Sequence, residues 1–467
     1  YRWMGKNHET IWINCRGRVL SDPEDGSPRY LVGCINEIGA KQKADNVSGL
    51  LGEYSLKIFY ESRSPKLPQG FLLRIGIDDF KNINESHGNE YGDYILRRTA
   101  QCIEENIGSE QSLFHIVADE FAVVDFSGGS VQQAEDLFHE IKKSIYAFIE
   151  QNQYKAVYTV SGGIVKNGDV DNSFENAMKL SEFALSEAKE RGKNSCYVFE
   201  EEEYEDYLKS RTLLRQLHHA VNNGFEGFEA YFQPLVNAAN GELTGAETLL
   251  RFHSPEGGMV SPGEFIPILE ESGLIIPVGR WVLRQALDAC REWQKILPEF
   301  KVNVNLSYVQ VLKSRVLTDV RRIVDEFGVK PSSVCIELTE SGYLEENERF
   351  DKVWNGLKEY GVLLALDDFG TGYSNLRCLS DLKPAYIKID RSFTLKALNR
   401  EYEYRLLNHI VEMSHSLGLH VCVEGIETEG ELTKAKQTEP DYIQGFLFGK
   451  PCSRAEFTQK FFTKQAG

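Results

Sequence analysis

Polar side chains that could bind metal ions recur at the ends of short apolar segments in the second half of the chain. These residues are Glu247, Asn305, Glu337, Asp367, Asp368, Lys388, Glu424 and Gln444. Five carboxylates brought to one place would repel one another unless cations lay among them. Oxygen donors without Cys or His favour hard ions such as Mg²⁺, Mn²⁺ or Ca²⁺ over zinc. A single glutamate at a strand end is more often a solvated surface group, so the hypothesis depends on the whole pattern.

The adjacent residues Asp367 and Asp368 favour a site for two metal ions. One carboxylate can bridge two ions while its neighbour holds the second, which is an arrangement used for in-line displacement at phosphorus. Lys388 would orient or activate the attacking water and offset charge on the phosphate. The segment Asp367–Ser374 continues with two glycines and small hydroxyl residues, which predicts a loop able to lie near the metals and to move.

The segments that carry these residues alternate with helix-length stretches from about Phe228 onward. They are Tyr231–Gln233, Leu243–Glu247, Val302–Asn305, Cys335–Glu337, Leu363–Asp368, Tyr386–Lys388, His420–Glu424 and Tyr442–Gln444. Eight strands in this rhythm predict a (β/α)₈ TIM-like barrel, whose active site lies at the carboxyl ends of the strands. The first two strands are too close for a helical crossover, so we expect them to form an antiparallel hairpin.

The preceding part of the chain predicts further units of an α/β protein. Over residues 45–200 strand candidates alternate with amphipathic helices, which indicates an α/β domain. The acidic start and spaced apolar residues of 201–227 predict a linker helix. In residues 1–44 the strand-like runs Thr10–Arg16 and Tyr30–Asn36 flank a turn-rich connector, which predicts a β-hairpin too short to be a whole domain.

Composition limits the class of protein. A chain of 467 residues predicts about two to four domains. The net charge of −18 disfavours nonspecific binding to nucleic acid or to anionic membranes, and we expect no nucleic-acid partner. No apolar run approaches the roughly 20 residues of a membrane span.

The nine cysteines include no Cys-x-x-Cys pair, so we expect reduced thiols and a cytoplasmic location. Because the chain begins at Tyr1 without Met, we expect a fragment of a longer protein, and tethering to the inner membrane by a missing N-terminal part stays open.

Residues 228–467 resemble the EAL-type cyclic di-GMP phosphodiesterases almost end to end. The motifs that carry the resemblance are YFQPLV, GAETLLRF, VSPGEFIPILEESGLI, VNVNLS, IELTES, LALDDFGTGYSNL, YIKIDRSF, VCVEGIET and QGFLFGKP. The signature triplet of that family stands here as Glu247-Thr248-Leu249, and since its glutamate binds the metal, we expect the central Thr to be tolerated. The resemblance implies hydrolysis of cyclic di-GMP to pGpG, supported by Mg²⁺ or Mn²⁺ and inhibited by Ca²⁺, in a protein that commonly forms homodimers.

The resemblance also implies roles for individual residues. The implied ligands of the first metal are Glu247, Asn305, Glu337 and Asp367, and those of the second are Asp367, Asp368 and Glu424. Lys388 is similar to the lysine that positions the water, Gln444 to a glutamine near that water and the metals, and Glu427 to a glutamate that steadies the Asp368–Ser374 loop. The positions that match substrate contacts are Gln233, Pro234 and Arg251. The alternative is a barrel that binds cyclic di-GMP as a receptor without cleaving it, but such receptors usually lack a metal ligand or the lysine.

Residues 45–200 resemble a GGDEF-type diguanylate cyclase through IGIDDFKNINESHGNEYGDYIL, HIVADEFAVV, VSGGIV and ALSEAKERGKNSCYVF. Where that family has Gly-Gly-Asp/Glu-Glu-Phe, this chain has Val117-Ala118-Asp119-Glu120-Phe121. The Cβ atoms of Val117 and Ala118 restrict φ and fill the space into which a nucleotide would come. Gly76 stands where the family has a metal-binding Asp. These departures predict a domain without cyclase activity.

Several nucleotide-binding positions of the cyclase family are retained. Asn84 and Asp93 match residues that bind guanine, Lys189 and Lys193 match phosphate contacts, and Asp119 could still help to hold a metal. A GTP site that regulates the barrel is therefore one hypothesis, and a purely structural or dimerising domain is the other. The family's inhibitory Arg-x-x-Asp motif is absent at residues 108–111, so we expect no product feedback there. Residues 1–44 resemble the C-terminal half of a PAS sensor domain.

Overall fold

The computed structural model describes residues 2–4, 10–21, 28–38, 44–63, 69–153, 157–167, 173–339, 348–370 and 376–463. The chain divides into two compact units, Tyr1–Tyr207 and Leu208–Gly467. Within the described residues, no helix combines the length and apolarity needed to span a bilayer.

The first unit begins with a three-stranded antiparallel sheet. Its strands are β1 (Arg2–Met4), β2 (Thr10–Ser21) and β3 (Pro28–Ile38), in the order β1-β2-β3. Strands β2 and β3 pair from Trp12 opposite Ile38 to Ser21 opposite Pro28. The predicted hairpin is therefore confirmed, and its resemblance to a PAS domain stays a prediction.

The rest of the first unit is an α/β sandwich around a five-stranded sheet. Its elements are α1 (Glu53–Arg63), β4 (Phe71–Ile77), α2 (Phe80–His87), α3 (Asn89–Asn106), β5 (Gln111–His115), β6 (Glu120–Asp125), α4 (Val131–Gln151), β7 (Val160–Lys166), α5 (Phe174–Glu190) and β8 (Cys196–Val198). The strand order is β5-β6-β4-β7-β8. All of β4 is buried, because Leu73 and Ile75 pack into one core cluster and Leu72 packs into another. The predicted α/β class is confirmed, and helix α6 (Glu201–Asn222) lies where the linker helix was predicted.

The second unit is a closed barrel surrounded by helices. Its strands are β9 (Phe228–Asn237), β10 (Leu243–His253), β11 (Met259–Val260), β12 (Lys301–Asn305), β13 (Val334–Thr339), β14 (Leu363–Phe369), β15 (Tyr386–Ile389), β16 (His420–Val423), β17 (Tyr442–Gln444) and β18 (Cys452–Ser453). Its helices are α7 (Pro262–Ser272), α8 (Ile275–Trp293), α9 (Tyr308–Lys313), α10 (Val316–Phe327), α11 (Glu348–Tyr360), α12 (Leu376–Leu382), α13 (Arg391–Asn399), α14 (Glu401–Ser416), α15 (Glu429–Lys436) and α16 (Arg454–Phe461), with a 3₁₀ turn at Pro331–Ser333.

The barrel closes through eight strands in the order β10-β12-β13-β14-β15-β16-β17-β9, and β9 returns to β10. Strand β9 is antiparallel to both of its barrel neighbours, β10 and β17. The TIM-like barrel and the antiparallel first hairpin are therefore confirmed. Along β12, Val302 and Val304 pack into the outer hydrophobic core, whereas Lys301 and Asn303 line the barrel interior. This alternation carries polar side chains into the barrel at successive levels.

Candidate active site

The structure brings the predicted strand-end residues together around one lysine. The Nζ atom of Lys388 lies 3.1 Å from Glu247 Oε2, 2.9 Å from Glu337 Oε2, 3.3 Å from Asp367 Oδ1 and 2.8 Å from Glu424 Oε1. Lys388 is only 2% exposed. These carboxylates come from β10, β13 and β14 and from the residue after β16, so closure of the barrel is what assembles them.

Glu247 receives more hydrogen bonds than its neighbours. Asn305 Nδ2 donates to its Oε1 at 2.9 Å, and Gln444 Nε2 donates to its Oε2 at 2.7 Å. Gln444 Nε2 also lies 3.2 Å from Gln233 Oε1. Burial alone would raise the pKa of Glu247, but Lys388, Gln444 and Asn305 together lower it below its ordinary value. Glu247 is therefore held as a carboxylate by donors from three strands, β12, β15 and β17.

Glu337 is held by one residue that the sequence analysis did not single out. Asn303 Nδ2 donates to Glu337 Oε1 at 2.7 Å, while Lys388 takes the other oxygen. Glu337 is fully buried and Asn303 is 7% exposed. The signal in the sequence is the alternation Val302-Asn303-Val304-Asn305, which places two asparagines on the same face of a strand.

Asp367 and Asp368 stand where β14 departs from regular pairing with β15. The register shifts between Leu366 and Phe369, and Asp368 has φ +57°. The backbone N–H of Asp368 donates to Asp367 Oδ1 at 2.9 Å. A left-handed residue at this point turns the two adjacent carboxylates away from simple alternation across the strand. The predicted mobile loop continues into residues 371–374, which lie outside the described part of the chain.

Burial makes the charged form of the remaining carboxyl groups unfavourable. Burial, with a further contribution from other carboxylates, raises the pKa of Glu424 to about 8 and that of Asp368 to about 6. Burial also raises the pKa of Asp367, and that of Glu337 well above its usual range, despite the attraction of Lys388. The pKa of Lys388 is raised well above its usual value, because the surrounding carboxylates outweigh the effect of its burial.

This donor set fits hard divalent cations. Glu247, Glu337 and Asp367 each offer a carboxylate oxygen, and these oxygens lie within 4.8 Å of one another. One ammonium cannot neutralise five clustered carboxylates, so additional positive charge would stabilise the site. Oxygen ligands of this kind suit Mg²⁺ or Mn²⁺.

The predicted substrate-contacting residues lie on the same strands or beside them. Gln233 and Pro234 are on β9, and Arg251 is on β10, where its guanidinium lies 5.5 Å from the ring centre of Tyr231. Glu427 forms an ion pair with Arg391. A cavity of about 140 Å³ lies next to Glu424 and is lined by Gln233, Arg391, Glu424, Gly425, Glu427, Gln444, Gly445 and Phe446. The proposed contact of Glu427 with the Asp368–Ser374 loop falls largely outside the described residues.

In the first unit, the altered cyclase motif occupies the turn between β5 and β6. Ala118 has φ +52°, a conformation that an alanine adopts only with strain. A Cβ atom on Gly76 would lie 2.9 Å from Lys189 Nζ, so the lysine fills the space that a side chain at position 76 would enter. Burial raises the pKa of Asp119 against the attraction of Lys189.

Of the other predicted nucleotide-binding residues of this unit, Lys193 forms an ion pair, and Asn84 and Asp93 lie on helices. Both carboxylate oxygens of Asp79 lie 2.8 Å from Lys193 Nζ. Arg74 Nε donates to Glu120 Oε2 at 2.7 Å. Asn84 lies on α2 and Asp93 on α3.

Comparison with known families agrees with this arrangement. Residues 214–451 match the EAL domain, and residues 55–195 match the diguanylate cyclase GGDEF domain. The chain belongs to the EAL domain family. It carries a GGDEF domain followed by an EAL domain, as the sequence motifs predicted. EAL domains are generally dependent on divalent metals. The EAL match begins within the predicted linker, and the domain limits stay predictions.

Relatives with the same two domains include proteins named for cyclic di-GMP turnover. The chain is 29% identical over 381 residues to the bifunctional diguanylate cyclase/cyclic di-GMP phosphodiesterase MucR of Pseudomonas aeruginosa, covering 81% of this chain and 55% of MucR. It is 29% identical over 455 residues to the cyclic di-GMP phosphodiesterase PdeR of Escherichia coli, covering 97% of this chain and 67% of PdeR.

A solved structure supports the same relationship. The complex of the PaMucR phosphodiesterase with cyclic di-GMP matches with a TM-score of 0.50 and 32% identity, covering 53% of this chain and 99% of that one. The chain spans about half the length of the curated relatives it matches. The EAL and GGDEF domains are thus shared with proteins of cyclic di-GMP signalling.

Proposed function

We propose that the EAL domain of this protein is an active phosphodiesterase that hydrolyses cyclic di-GMP to pGpG. Water oxygen would form a bond to one phosphorus, the bond from that phosphorus to O3′ would break, and O3′ would leave with a proton. The observation that supports activity most directly is the contact of Lys388 with four carboxylates at 2.8–3.3 Å, because a barrel lacking one of these four carboxylates or the lysine could not make it.

The chain's own residues would bind the metal ions, bind the substrate and position the metal ligands. Glu247, Asn305, Glu337 and Asp367 would hold one cation, and Asp367, Asp368 and Glu424 would hold the second. Mg²⁺ or Mn²⁺ would supply Lewis-acid activation of water and neutralise charge at the phosphate. Gln233, Pro234 and Arg251 would bind the substrate, Gln444 would orient Glu247, and Glu427 would steady the loop after Asp368.

Lys388 would position the attacking water. An ammonium has three N–H donors, and this one has four carboxylate oxygens within 3.3 Å. In the proposed reaction Lys388 turns one N–H from a carboxylate to the water and holds it in line with the bond to O3′. A variant without that donor should bind the substrate and fail to cleave it.

The GGDEF domain is proposed to make no cyclic di-GMP. Gly76 supplies no carboxylate, Lys189 fills the space beside it, and Ala118 holds the turn in a strained conformation. GTP binding through Asn84, Asp93, Asp119, Lys189 and Lys193 stays a subsidiary proposal, and it would require Lys193 to exchange Asp79 for phosphate. The proposed domains comprise residues 1–44, 45–200, 201–227 and 228–467, and the proposed assembly is a homodimer.

One assay separates the candidate activities. The full chain is incubated with Mn²⁺ and cyclic di-GMP, or with Mn²⁺ and GTP, and the nucleotides are separated by chromatography. We expect pGpG from the first mixture and no cyclic di-GMP from the second. Binding of cyclic di-GMP without pGpG would replace the enzyme by a receptor, and cyclic di-GMP formed from GTP would refute the inactive GGDEF domain. Replacing Mn²⁺ by Ca²⁺ should stop hydrolysis. Light scattering by the full chain tests the proposed homodimer.

A further inference from the structure

Two asparagines on β12 orient the carboxylates of the neighbouring strands in a crossed pattern. In the strand register Asn303 stands opposite Glu247 of β10, and Asn305 stands opposite Glu337 of β13. Each asparagine nevertheless donates to the other glutamate: Asn305 to Glu247 at 2.9 Å and Asn303 to Glu337 at 2.7 Å. The stagger of barrel strands allows these diagonal contacts.

Asn303 reaches Glu337 from inside the barrel. It lines a small enclosed cavity of about 20 Å³ on the inner side of the site, together with Thr244, Tyr386 and Cys422. Asn303 and Lys388 bond different oxygens of the same buried carboxylate, at 2.7 Å and 2.9 Å. Two donors on two oxygens fix the rotation of the carboxylate plane, which one donor alone would leave free.

From this geometry we propose that Asn303 is a positioning residue that presents Glu337 to the metal ion. The inference rests on the proposed function, since it assumes that Glu337 is a ligand. Hydrogen bonds to ligating carboxylates commonly change metal affinity or activity by about 10–100-fold when they are removed. Asn303 touches neither substrate nor water in this role and acts only through Glu337.

The test compares Mn²⁺ binding by the full chain and its variants. Asn303→Leu removes the donor while keeping the same branching of heavy atoms in a somewhat larger side chain, and Asn303→Ala removes it while leaving more room, in case leucine prevents folding. Thr244→Val is the matched control, because Thr244 lines the same cavity and donates only to the Leu235 carbonyl among the contacts described for it, at 3.0 Å. Free Mn²⁺ is measured by electron paramagnetic resonance, beside pGpG formation and thermal unfolding in EDTA.

We expect the Asn303 variants to need about 10–100-fold more Mn²⁺ for half-saturation. Turnover should recover toward that of the wild type at saturating Mn²⁺, and KM for cyclic di-GMP should stay unchanged. Thr244→Val should bind Mn²⁺ like the wild type.

Folded Asn303 variants with wild-type Mn²⁺ affinity would overturn the inference, as would an equal loss in Thr244→Val. A wild-type protein that binds no Mn²⁺ would overturn it too. A wild-type protein that binds Mn²⁺ but forms no pGpG would refute the proposed function alone, because the Mn²⁺ titrations of the variants would still decide the role of Asn303.

Discussion

Replacing Glu424 by glutamine is expected to stabilise the metal-free barrel while removing its activity. Glu424 lies beside Lys388, with 2.8 Å between Oε1 and Nζ, and its side chain is 17% exposed. Burial nevertheless raises the pKa of this carboxyl to about 8, from an ordinary value of 4.5. At neutral pH the group must therefore take up a proton when the metal-free chain folds, which costs free energy.

The magnitude follows from the pKa values. Each pH unit above 4.5 adds about 1.4 kcal/mol to the cost of protonating Glu424, so the cost is about 3 kcal/mol at pH 7. Glutamine has nearly the same shape and needs no proton. For a unit of this size about 3 kcal/mol corresponds to a rise in Tm of roughly 6–12 °C.

The stability of the metal-free wild type should fall as the pH rises. Because the folded-state pKa is raised, the wild type loses stability as pH increases from about 4.5 toward 8. Glu424→Gln lacks this loss, so the two proteins should have similar Tm values near pH 4.5 and differ most above pH 8. With Mn²⁺ the order should reverse, because the wild type gains binding free energy that the variant lacks.

The assay is thermal unfolding of the full chain in EDTA between pH 4.5 and 8.5, followed by circular dichroism and calorimetry. Glu299→Gln, at an exposed position of the same unit, is the control for loss of one negative charge. A Glu424→Gln protein that is no more stable than the wild type at pH 7 in EDTA would refute the reasoning. A difference in Tm that does not change with pH would refute it equally.

Three further substitutions test other parts of the structure. Lys388→Met should lower stability in EDTA by about 3–5 kcal/mol, because it leaves buried carboxylates without their cation, and should abolish pGpG formation; an unchanged Tm and rate would contradict its role. Asp368→Asn should lower turnover by orders of magnitude while calorimetry with Ca²⁺ still detects cyclic di-GMP binding, and near-normal turnover would exclude Asp368 as a ligand. Ala118→Gly should stabilise the first unit by roughly 0.5–1 kcal/mol in urea unfolding without forming cyclic di-GMP from GTP, and a loss of stability would contradict strain at φ +52°.

The barrel could be predicted from sequence because each strand has a simple local signature. Short apolar runs ended in polar residues, and the intervals between them had the length of helices. The hairpin of β9 and β10 was predictable from one short interval, since a parallel pair needs a crossover of about a dozen residues. Closure then forces residues such as Glu247 and Glu424, far apart in sequence, to the same end of the barrel.

The contacts within the site could not be predicted in the same way. Asn303 and Asn305 look alike in the sequence. In the strand register Asn303 stands opposite Glu247 and Asn305 opposite Glu337. Only the strand stagger determines that Asn303 bonds Glu337 and Asn305 bonds Glu247. The left-handed conformation of Asp368 and Ala118 is also invisible to a pattern of residue types, because neither is a glycine. Both depend on tertiary contacts that override local preference.

The pKa values around Lys388 divide the carboxylates by how well the protein compensates their charge. Glu247 has three donors and a lowered pKa, whereas burial raises the pKa of Glu337, Asp367 and Glu424. The least compensated charge therefore lies on three of the residues that would hold the proposed cations. Because the same charge that attracts a cation disfavours the metal-free fold, removing it should stabilise the protein and weaken metal binding together. Stability in EDTA and affinity for Mn²⁺ are thus expected to change in opposite directions in variants of these three residues.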